Sequence, residues 1–294
     1  MKRRIETKTS KTAQWTCVSR AVSFLESDKL YRSNDFLALQ LLPKFLQILL
    51  KIPLFRTLYR TVFSPKGIYE YVIARTRYID TVFQQALADG FEQILIFGAG
   101  FDTRSIRFQA QTKGTTIFEL DVHNTQNAKI LQFQKRNIPV PTNLVFVAID
   151  FEQETLVHKL AEAGFGRNKK SLFVLEGLLM YLHPQAVDET LSVIRQYAGP
   201  QSRIVFDYLQ ASVLRQENQL YGEKEIYQRV ARAAEQWRSA IEPRAFKKFL
   251  ASHSFRIIDH KNAEELEELY FKNQEGKGLA RINGTHCLVT AEIV

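Results

Sequence analysis

Apolar residues along this chain follow two rhythms. Between residues 93 and 208 they come in short, nearly unbroken runs at 93–97, 116–121, 144–150, 171–176 and 203–208. Runs of that length fit strands of a parallel sheet covered on both faces. Between them the spacing widens to a helical period near 102–110, 124–136, 153–163 and from Pro184 to about Tyr197. Pro184 suits the first turn of its helix, where a missing N–H costs nothing. Strand and helix alternating in this way predict an α/β fold with a doubly wound parallel sheet.

The flanks read differently. Residues 12–63 look helical, with Pro43 and Pro53 dividing them, and 36–55 is the most apolar stretch of the chain. Gln40, Lys44, Gln47 and Lys51 recur there on one helical stripe, with Leu41, Leu42, Phe45, Leu46, Ile48 and Leu49 around the rest. A spanning helix needs about 20 residues with few or no charges. The stretch therefore predicts helices packed on the core as a lid, and no integral membrane segment. A helix lying on a membrane surface is the alternative. Residues 69–88 read as one helix carrying Arg75 and Arg77 into the first strand. After Leu209 comes a helical insert at about 210–240, and Pro243 starts a further helix through Phe249. The runs at 255–260 and 286–294 close the chain as strands, expected to form a terminal antiparallel hairpin or ribbon. The organisation predicted is an N-terminal helical extension over 1–68 and a sheet domain over 69–294.

Three of the runs end in residues suited to a ligand. The first is Gln93-Ile-Leu-Ile-Phe-Gly-Ala-Gly-Phe-Asp-Thr-Arg104. Gly98 and Gly100 allow a sharp turn and a close approach of backbone to ligand. That turn stands at the carboxyl end of a central strand, where open α/β sheets place their binding crevice. The second run ends in Asp121, 21 residues after Gly100, close to the spacing at which a carboxylate reaches a ribose diol. The third ends in Asp150. Together the three describe the wall of a nucleoside pocket. Glu119, two residues before Asp121, points to the same side of the sheet and competes with it. Asp150 as a helix N-cap, and Arg75 in a surface pair with Asp80 or Glu70, are the corresponding structural alternatives.

Composition narrows the class. The chain has 294 residues, 45% apolar and 24% charged, with a formal net charge of +9, so it can bury a large core. Residues 1–11 hold five basic residues against Glu6, a solvated tip rather than a nucleic-acid arm. Cys17 and Cys287 are the only cysteines. They make neither a disulfide framework nor a metal cluster and suit a reducing, cytoplasmic setting.

The ordered motifs resemble the leucine carboxyl methyltransferase family, in its bacterial branch of class I S-adenosylmethionine methyltransferases, which includes enzymes acting on polyketides. The resemblance rests on Ala74-Arg-Thr-Arg-Tyr-Ile-Asp80, Gly98-Ala-Gly-Phe-Asp-Thr-Arg104, Glu119-Leu-Asp121, Asp150-Phe151 and Glu176-Gly-Leu-Leu-Met-Tyr-Leu182. Thr12-Ala13 and Arg20-Ala21 fit its N-terminal pattern. It implies a Rossmann-like seven-stranded sheet of order 3-2-1-4-5-7-6 with strand 7 antiparallel. It also implies S-adenosyl-L-methionine as cofactor, with Arg75 on the methionine carboxylate and Gly98 and Gly100 behind the methionyl part. Asp121 would take the ribose hydroxyls, Asp150 and Phe151 would flank the adenine, and Glu176 would stand near the methionyl amine. His183, and Val122-His123 after Asp121, depart from the family's pattern and leave the acceptor side open.

The function expected is O-methylation of a carboxylate or hydroxyl of a small molecule, of the secondary-metabolite kind. A carboxylate acceptor needs no base, whereas a hydroxyl acceptor needs one within hydrogen-bond reach. His183 and Tyr181 are the candidates, with Asp207 behind them. Core packing for Tyr181 and helix capping for His183 compete with those roles. A nicotinamide oxidoreductase is the rival enzyme class, weakened because Thr103 stands where a third glycine is needed. A non-catalytic cofactor-binding protein is the third class. A nucleic-acid partner is not expected, since basic residues are scattered rather than interleaved with aromatics.

Overall fold

A computed structural model describes residues 10–233, 235–273 and 275–294. Four of the basic residues of the N-terminal tip, Lys2, Arg3, Arg4 and Lys8, lie outside the described residues. Lys11 opens the first described helix, α1 (Lys11–Phe24).

The core is one seven-stranded sheet: β1 (Gln93–Phe97), β2 (Thr116–Asp121), β3 (Leu144–Ala148), β4 (Ser171–Leu175), β5 (Arg203–Leu209), β6 (Phe255–Lys261) and β7 (His286–Ile293). Its order is β3-β2-β1-β4-β5-β7-β6. β1 pairs in parallel with β2 and β4, whereas β7 runs antiparallel to both β5 and β6. The unbroken apolar runs have a direct cause. Successive side chains on a strand point to opposite faces, and here both faces are covered. Ile94 and Ile96 of β1 join one apolar cluster, and Leu95 and Phe97 join the other.

The first cluster holds Ile73, Ile79 and Phe83 of the long helix α5 (Ile68–Ala88). Before it come α2 (Phe36–Leu41), α3 (Lys44–Leu50) and α4 (Pro53–Leu58), then one turn of π-helix at Tyr59–Phe63. Pro43 and Pro53 divide this stretch as expected, since neither can donate into a continuing helix. Its burial is uneven. Leu37, Leu41, Leu42 and Leu50 are buried, whereas Phe45 and Ile48 are exposed. The expected apolar flank of one lid helix is thus only partly covered. Among the described residues no helix is long and apolar enough to cross a membrane.

Several predicted helices are shorter than the pattern suggested. The one after the glycine turn is α6 (Arg104–Arg107) followed by a 3-10 turn. The next, α7 (His123–Lys135), has its expected length, but the one after it is only α8 (Leu156–Glu162). α9 runs from Pro184 to Tyr197. The insert after β5 is α10 (Ala211–Leu214) and α11 (Glu223–Ala233) joined by irregular chain, and the helix expected at Pro243 starts at Phe246, as α12 (Phe246–Ser252). The terminal strands are antiparallel but are not a simple hairpin, because α13 (Ala263–Tyr270) stands between them. Its start was encoded: Asn262 accepts from the Glu265 N–H, and Glu265 accepts from the Asn262 N–H, the reciprocal pair of a capping box.

One ion pair ties α7 to the middle of the sheet. Lys129 Nζ donates to Glu119 Oε2 at 2.6 Å, and Ser105 Oγ donates to Glu119 Oε1 at 2.7 Å. Lys129 and Glu119 are both buried. Burial raises the Glu119 pKa, and Lys129 opposes that rise. Lys129→Ala leaves a carboxylate uncompensated in the core, a loss expected to cost about 3–5 kcal/mol. The sign with pH follows. A carboxyl whose folded pKa is raised costs stability above that pKa and nothing below its unfolded value. The deficit of the variant should therefore be larger at neutral pH than in acid, shrinking as acid protonates Glu119. Urea unfolding at neutral and mildly acidic pH measures it, and a deficit below about 1 kcal/mol at neutral pH would count against a stabilising pair.

Candidate active site

The carboxyl ends of β1 to β4 open into a cavity of about 290 Å³. At its floor the chain turns through Gly98 and Gly100, with φ of +61° and +48°. A side chain at either glycine would be strained and crowded: a Cβ on Gly98 would sit 3.2 Å from Leu178 Cδ1, and one on Gly100 3.1 Å from the Ala13 Cβ. The Ala99 N–H between them donates to Leu120 O at 2.9 Å. The turn is thus held against the end of β2.

Asp121 ends β2. Its carboxylate accepts the Gly100 N–H on one oxygen and, at 2.7 Å, the Val122 N–H on the other. Burial pushes its pKa up to about 6, against the pull of those two N–H donors. Asp150 follows β3 and accepts the Glu152 N–H at 3.0 Å. The N-cap of α8 is Thr155, so Asp150 is not that helix's cap. Phe151 stacks on Phe97, with centroids 5.7 Å apart. Beyond β4, Glu176 faces the same cavity.

Behind this wall runs a chain of buried charges. Arg75, on α5, meets Glu176 at 3.0 Å and donates to Asp207 at 2.8 Å. Glu176 also accepts Arg104 at 2.7 Å. Burial opposes its ionisation, but Arg104, Arg75 and Arg20 outweigh burial and hold its pKa low, near 2. Arg104 continues to Asp80 at 2.7 Å, and Asp80 takes a two-pronged contact from Arg107 at 2.8 and 2.9 Å. Arg20, on α1, pairs with Asp35 at 2.9 Å and donates to Phe101 O at 2.6 Å. Asp35 also accepts Thr103 Oγ1 at 2.8 Å. The surface pairing of Arg75 with Asp80 or Glu70 is therefore not what forms: Arg75 is buried and its partners lie on two strand ends. Asp207 is no free base. It is fully buried, and accepts from the Tyr71 hydroxyl at 2.8 Å, Arg75 at 2.8 Å and the Gly177 N–H at 2.5 Å.

Eight of the ten residues singled out in the sequence line the cavity: Arg75, Gly98, Gly100, Asp121, Asp150, Phe151, Glu176 and Tyr181. Glu119 does not, because it lies one strand step below the rim and is held by Lys129. His183 does not either. It precedes α9, outside the cavity wall, and its Nε2 stands 2.9 Å from Arg238 Nη1. Arg238 itself reaches the wall.

Sequence reading passed over His286, Arg238 and Glu235. His286 is buried at the start of β7. Its ring stacks on Tyr71 at 4.9 Å and meets Trp237 edge-on at 5.5 Å, while Nδ1 lies 2.7 Å from Thr285 Oγ1. Burial lowers its pKa to about 4, so the imidazole is neutral at pH 7. A second cavity of about 100 Å³ shares Thr12, Thr16, Arg75, Tyr181 and His286 with the first. Its remaining wall is largely apolar and includes the aromatic residues Trp15, Tyr59, Phe63, Tyr71 and Trp237. Burial raises the pKa of Tyr181.

The roof comes from two distant parts of the chain. Ser10, Thr12 and Ala13 of the N-terminal end and Glu235, Gln236 and Arg238 of the insert all line the larger cavity. Glu235 joins them. It accepts the Lys11 N–H at 2.8 Å, the Thr12 N–H at 3.1 Å and Ser10 Oγ at 3.2 Å. A carboxylate at the first turn of α1 satisfies otherwise orphaned donors and suits the helix dipole.

Known proteins resemble this chain in sequence and in fold. Residues 16–195 match the leucine carboxyl methyltransferase family. A Bacillus subtilis protein with the provisional name S-adenosyl-L-methionine-dependent methyltransferase YktD is 27% identical over 203 residues, 69% of this chain and 66% of that one. A Mycobacterium tuberculosis protein with the same provisional description, Rv0893c, is 36% identical over 134 residues, 46% of this chain and 41% of its own length. The matched stretches thus span less than two thirds of those relatives. Among solved structures, a Thermobifida fusca protein provisionally described as a methyltransferase superposes with a TM-score of 0.62 at 13% identity, over 97% of this chain and 95% of its own. That likeness is one of fold. With more than half of its length matched in order, this chain belongs to the leucine carboxyl methyltransferase family.

Proposed function

We propose that the protein is an S-adenosylmethionine-dependent O-methyltransferase acting on a carboxylate or hydroxyl of a small molecule, of the secondary-metabolite kind. The observation that carries this reading is the convergence of the Gly98–Gly100 turn, Asp121 and the Asp150-Phe151 pair on one cavity at adjacent strand ends. The residues fit the cofactor's parts. Gly98 and Gly100 leave a cradle that a Cβ would fill. Asp121 offers a carboxylate to a ribose diol, and Asp150 and Phe151 offer an acceptor and an aromatic face to a purine. Arg75 and Arg20 give positive charge at the end where a methionine carboxylate would lie, and Glu176 gives negative charge near the amine. When bound, the cofactor supplies a methyl group on a positively charged sulfur.

The protein's own contribution is position. Transfer to an oxygen in line with the sulfur requires that oxygen to be held at attack distance, and such alignment supplies several kcal/mol. The second cavity is suited to the acceptor, since it shares a wall with the first and is apolar and aromatic. Tyr181 offers a hydroxyl there, and His286 offers a neutral imidazole with Nδ1 already engaged by Thr285. For a hydroxyl acceptor, His286 is better placed than His183 to take a hydrogen bond and a proton. A carboxylate acceptor needs only orientation.

Titration with S-adenosylhomocysteine tests the cofactor half. Binding is expected at pH 7 and should weaken as pH falls through about 6, because the charged form of Asp121 accepts hydroxyl hydrogens and the neutral form does so less well. Asp121→Asn should cost about ten-fold or more in affinity and flatten that pH dependence. No binding by the intact protein at any pH would sink the reading. The acceptor half is tested with any hydroxyl compound turned over in a screen of small phenols and acids. His286→Ala should lower kcat by about ten- to a hundred-fold with the S-adenosylhomocysteine affinity within about two-fold. Equal losses of both would place His286 in support of the cofactor wall instead.

A further inference from the structure

Eight of the fifteen large apolar side chains exposed among the described residues fall between residues 36 and 63. Their spacing gathers them. Phe45 and Ile48, each 67% exposed, are three residues apart on α3. Leu54, Leu58 and Val62 recur every fourth residue through α4 and the π-turn that continues it, and Leu54 and Val62 are 74% and 63% exposed. Residues three and four apart share a helix face, so on each of these two consecutive helices the side chains form a stripe rather than a scatter. Apolar patches of this kind on a monomer mark interaction sites.

The charge carried by this segment has one sign. Between residues 36 and 66 there is no Asp or Glu, but there are Lys44, Lys51, Arg56, Arg60 and Lys66. Three of these are engaged by the protein: Arg56 donates to Leu50 O at 2.9 Å, Arg60 meets Glu26 at 3.3 Å, and Lys66 meets Glu225 at 2.9 Å. Lys44 and Lys51 are exposed, and neither ammonium group makes a bond to the described protein. Beside Val62 a surface groove adds Lys11, Arg229 and Arg232, with Glu225 as its one acid. Residues 1–9 are basic as well, the wrong sign to neutralise this face.

We propose that the stripe formed by α3, α4 and the following π-turn seats the protein on an anionic lipid surface. Exposed apolar side chains with two unpaired lysines beside them, in a segment that holds no acid, match an anionic bilayer surface in both respects. A second copy of this chain would bring the same unpaired positive charge and be repelled. The geometry also gives the seat a use: Phe63, at its end, is exposed on one side and lines the aromatic cavity on the other. The docked face would then bring the mouth of that cavity to the apolar phase.

The test is co-sedimentation of the full-length protein with vesicles of phosphatidylcholine alone and of an equal mixture with phosphatidylglycerol. Binding to the mixture, weak binding to phosphatidylcholine and release by added salt are expected. Lys44→Glu with Lys51→Glu should lower partitioning by at least about five-fold per lysine. Leu54→Ser with Leu58→Ser should lower it by about ten-fold or more. Circular dichroism and S-adenosylhomocysteine titration check that both variants are folded, and if the serine variant is not, the lysine variant decides alone. The proposal is overturned by absence of vesicle binding, by equal binding to both vesicle types, or by binding that a folded variant leaves unchanged. Light scattering showing a dimer that the serine variant dissociates would also overturn it, because the stripe would then be a subunit interface. None of these outcomes depends on whether the protein methylates anything.

Discussion

The site depends on a chain of guanidinium–carboxylate contacts buried behind it. Among the described residues, Arg20, Arg75, Arg104 and Arg107 are joined there to Asp35, Asp80, Asp102, Glu176 and Asp207. Each of these side chains would be costly to bury alone, and the pairs are weak evidence for net stability. Their consequence is positional. Arg20 brings in α1, Arg75 brings in α5, and Arg104 brings in the segment after the glycine turn, while Glu176 and Asp207 are fixed to the ends of β4 and β5. Helices that differ in direction and in place along the chain are thereby registered against the same strand tips. Five carboxylates against four guanidinium groups also leave one negative charge over, next to a cavity proposed to receive a cationic sulfur.

That requirement explains why the local motifs of the sequence are dense where they are. The segment Gly98-Ala-Gly-Phe-Asp-Thr-Arg104 does two things at once. Its glycines make the left-handed turn that exposes backbone to the cavity, and its polar end supplies Asp102, Thr103 and Arg104 to the charge chain. A substitution at Gly177 would disturb the same system from the other side, since a Cβ there would stand 3.1 Å from Arg75 Nη1. Turn geometry and charge pairing are therefore one constraint rather than two.

Much of this was legible in one dimension. The doubly wound sheet follows from apolar runs separated by helical stretches, and the resemblance gave the strand order. Asp121 and Asp150 could be placed because they are the last polar residues of their runs. Where reading failed, the cause was depth or direction. Glu119 shares a face with Asp121, but it lies lower on the strand, under α7, where Lys129 reaches it. His183 sits in the motif after β4, but it is exposed just before α9 and does not line the cavity. His286 was missed for the opposite reason. β7 is antiparallel, and its first residue pairs with Leu209, the last of β5. The start of β7 thus joins the rim formed by the ends of the parallel strands. A search for functional residues at strand ends has to be reversed for the antiparallel member.

The roof shows what a pattern of this kind cannot encode. Ser10 and Thr12 are more than two hundred residues from Glu235, yet one carboxylate gathers the first N–H groups of α1 and closes the cover over the larger cavity. Nothing local predicts such a contact, because a first-turn N–H accepts any acceptor that the fold brings near. The same helix carries Arg20 into the charge chain, so the roof is tied to the sheet at both ends of α1. The aromatic cavity is built largely from those same segments, with Trp15, Tyr59 and Phe63 from one and Trp237 from the other. On the proposed reading, the strand ends supply the acidic and glycine contacts to the cofactor, and the segments laid across them supply most of the wall of the acceptor's cavity.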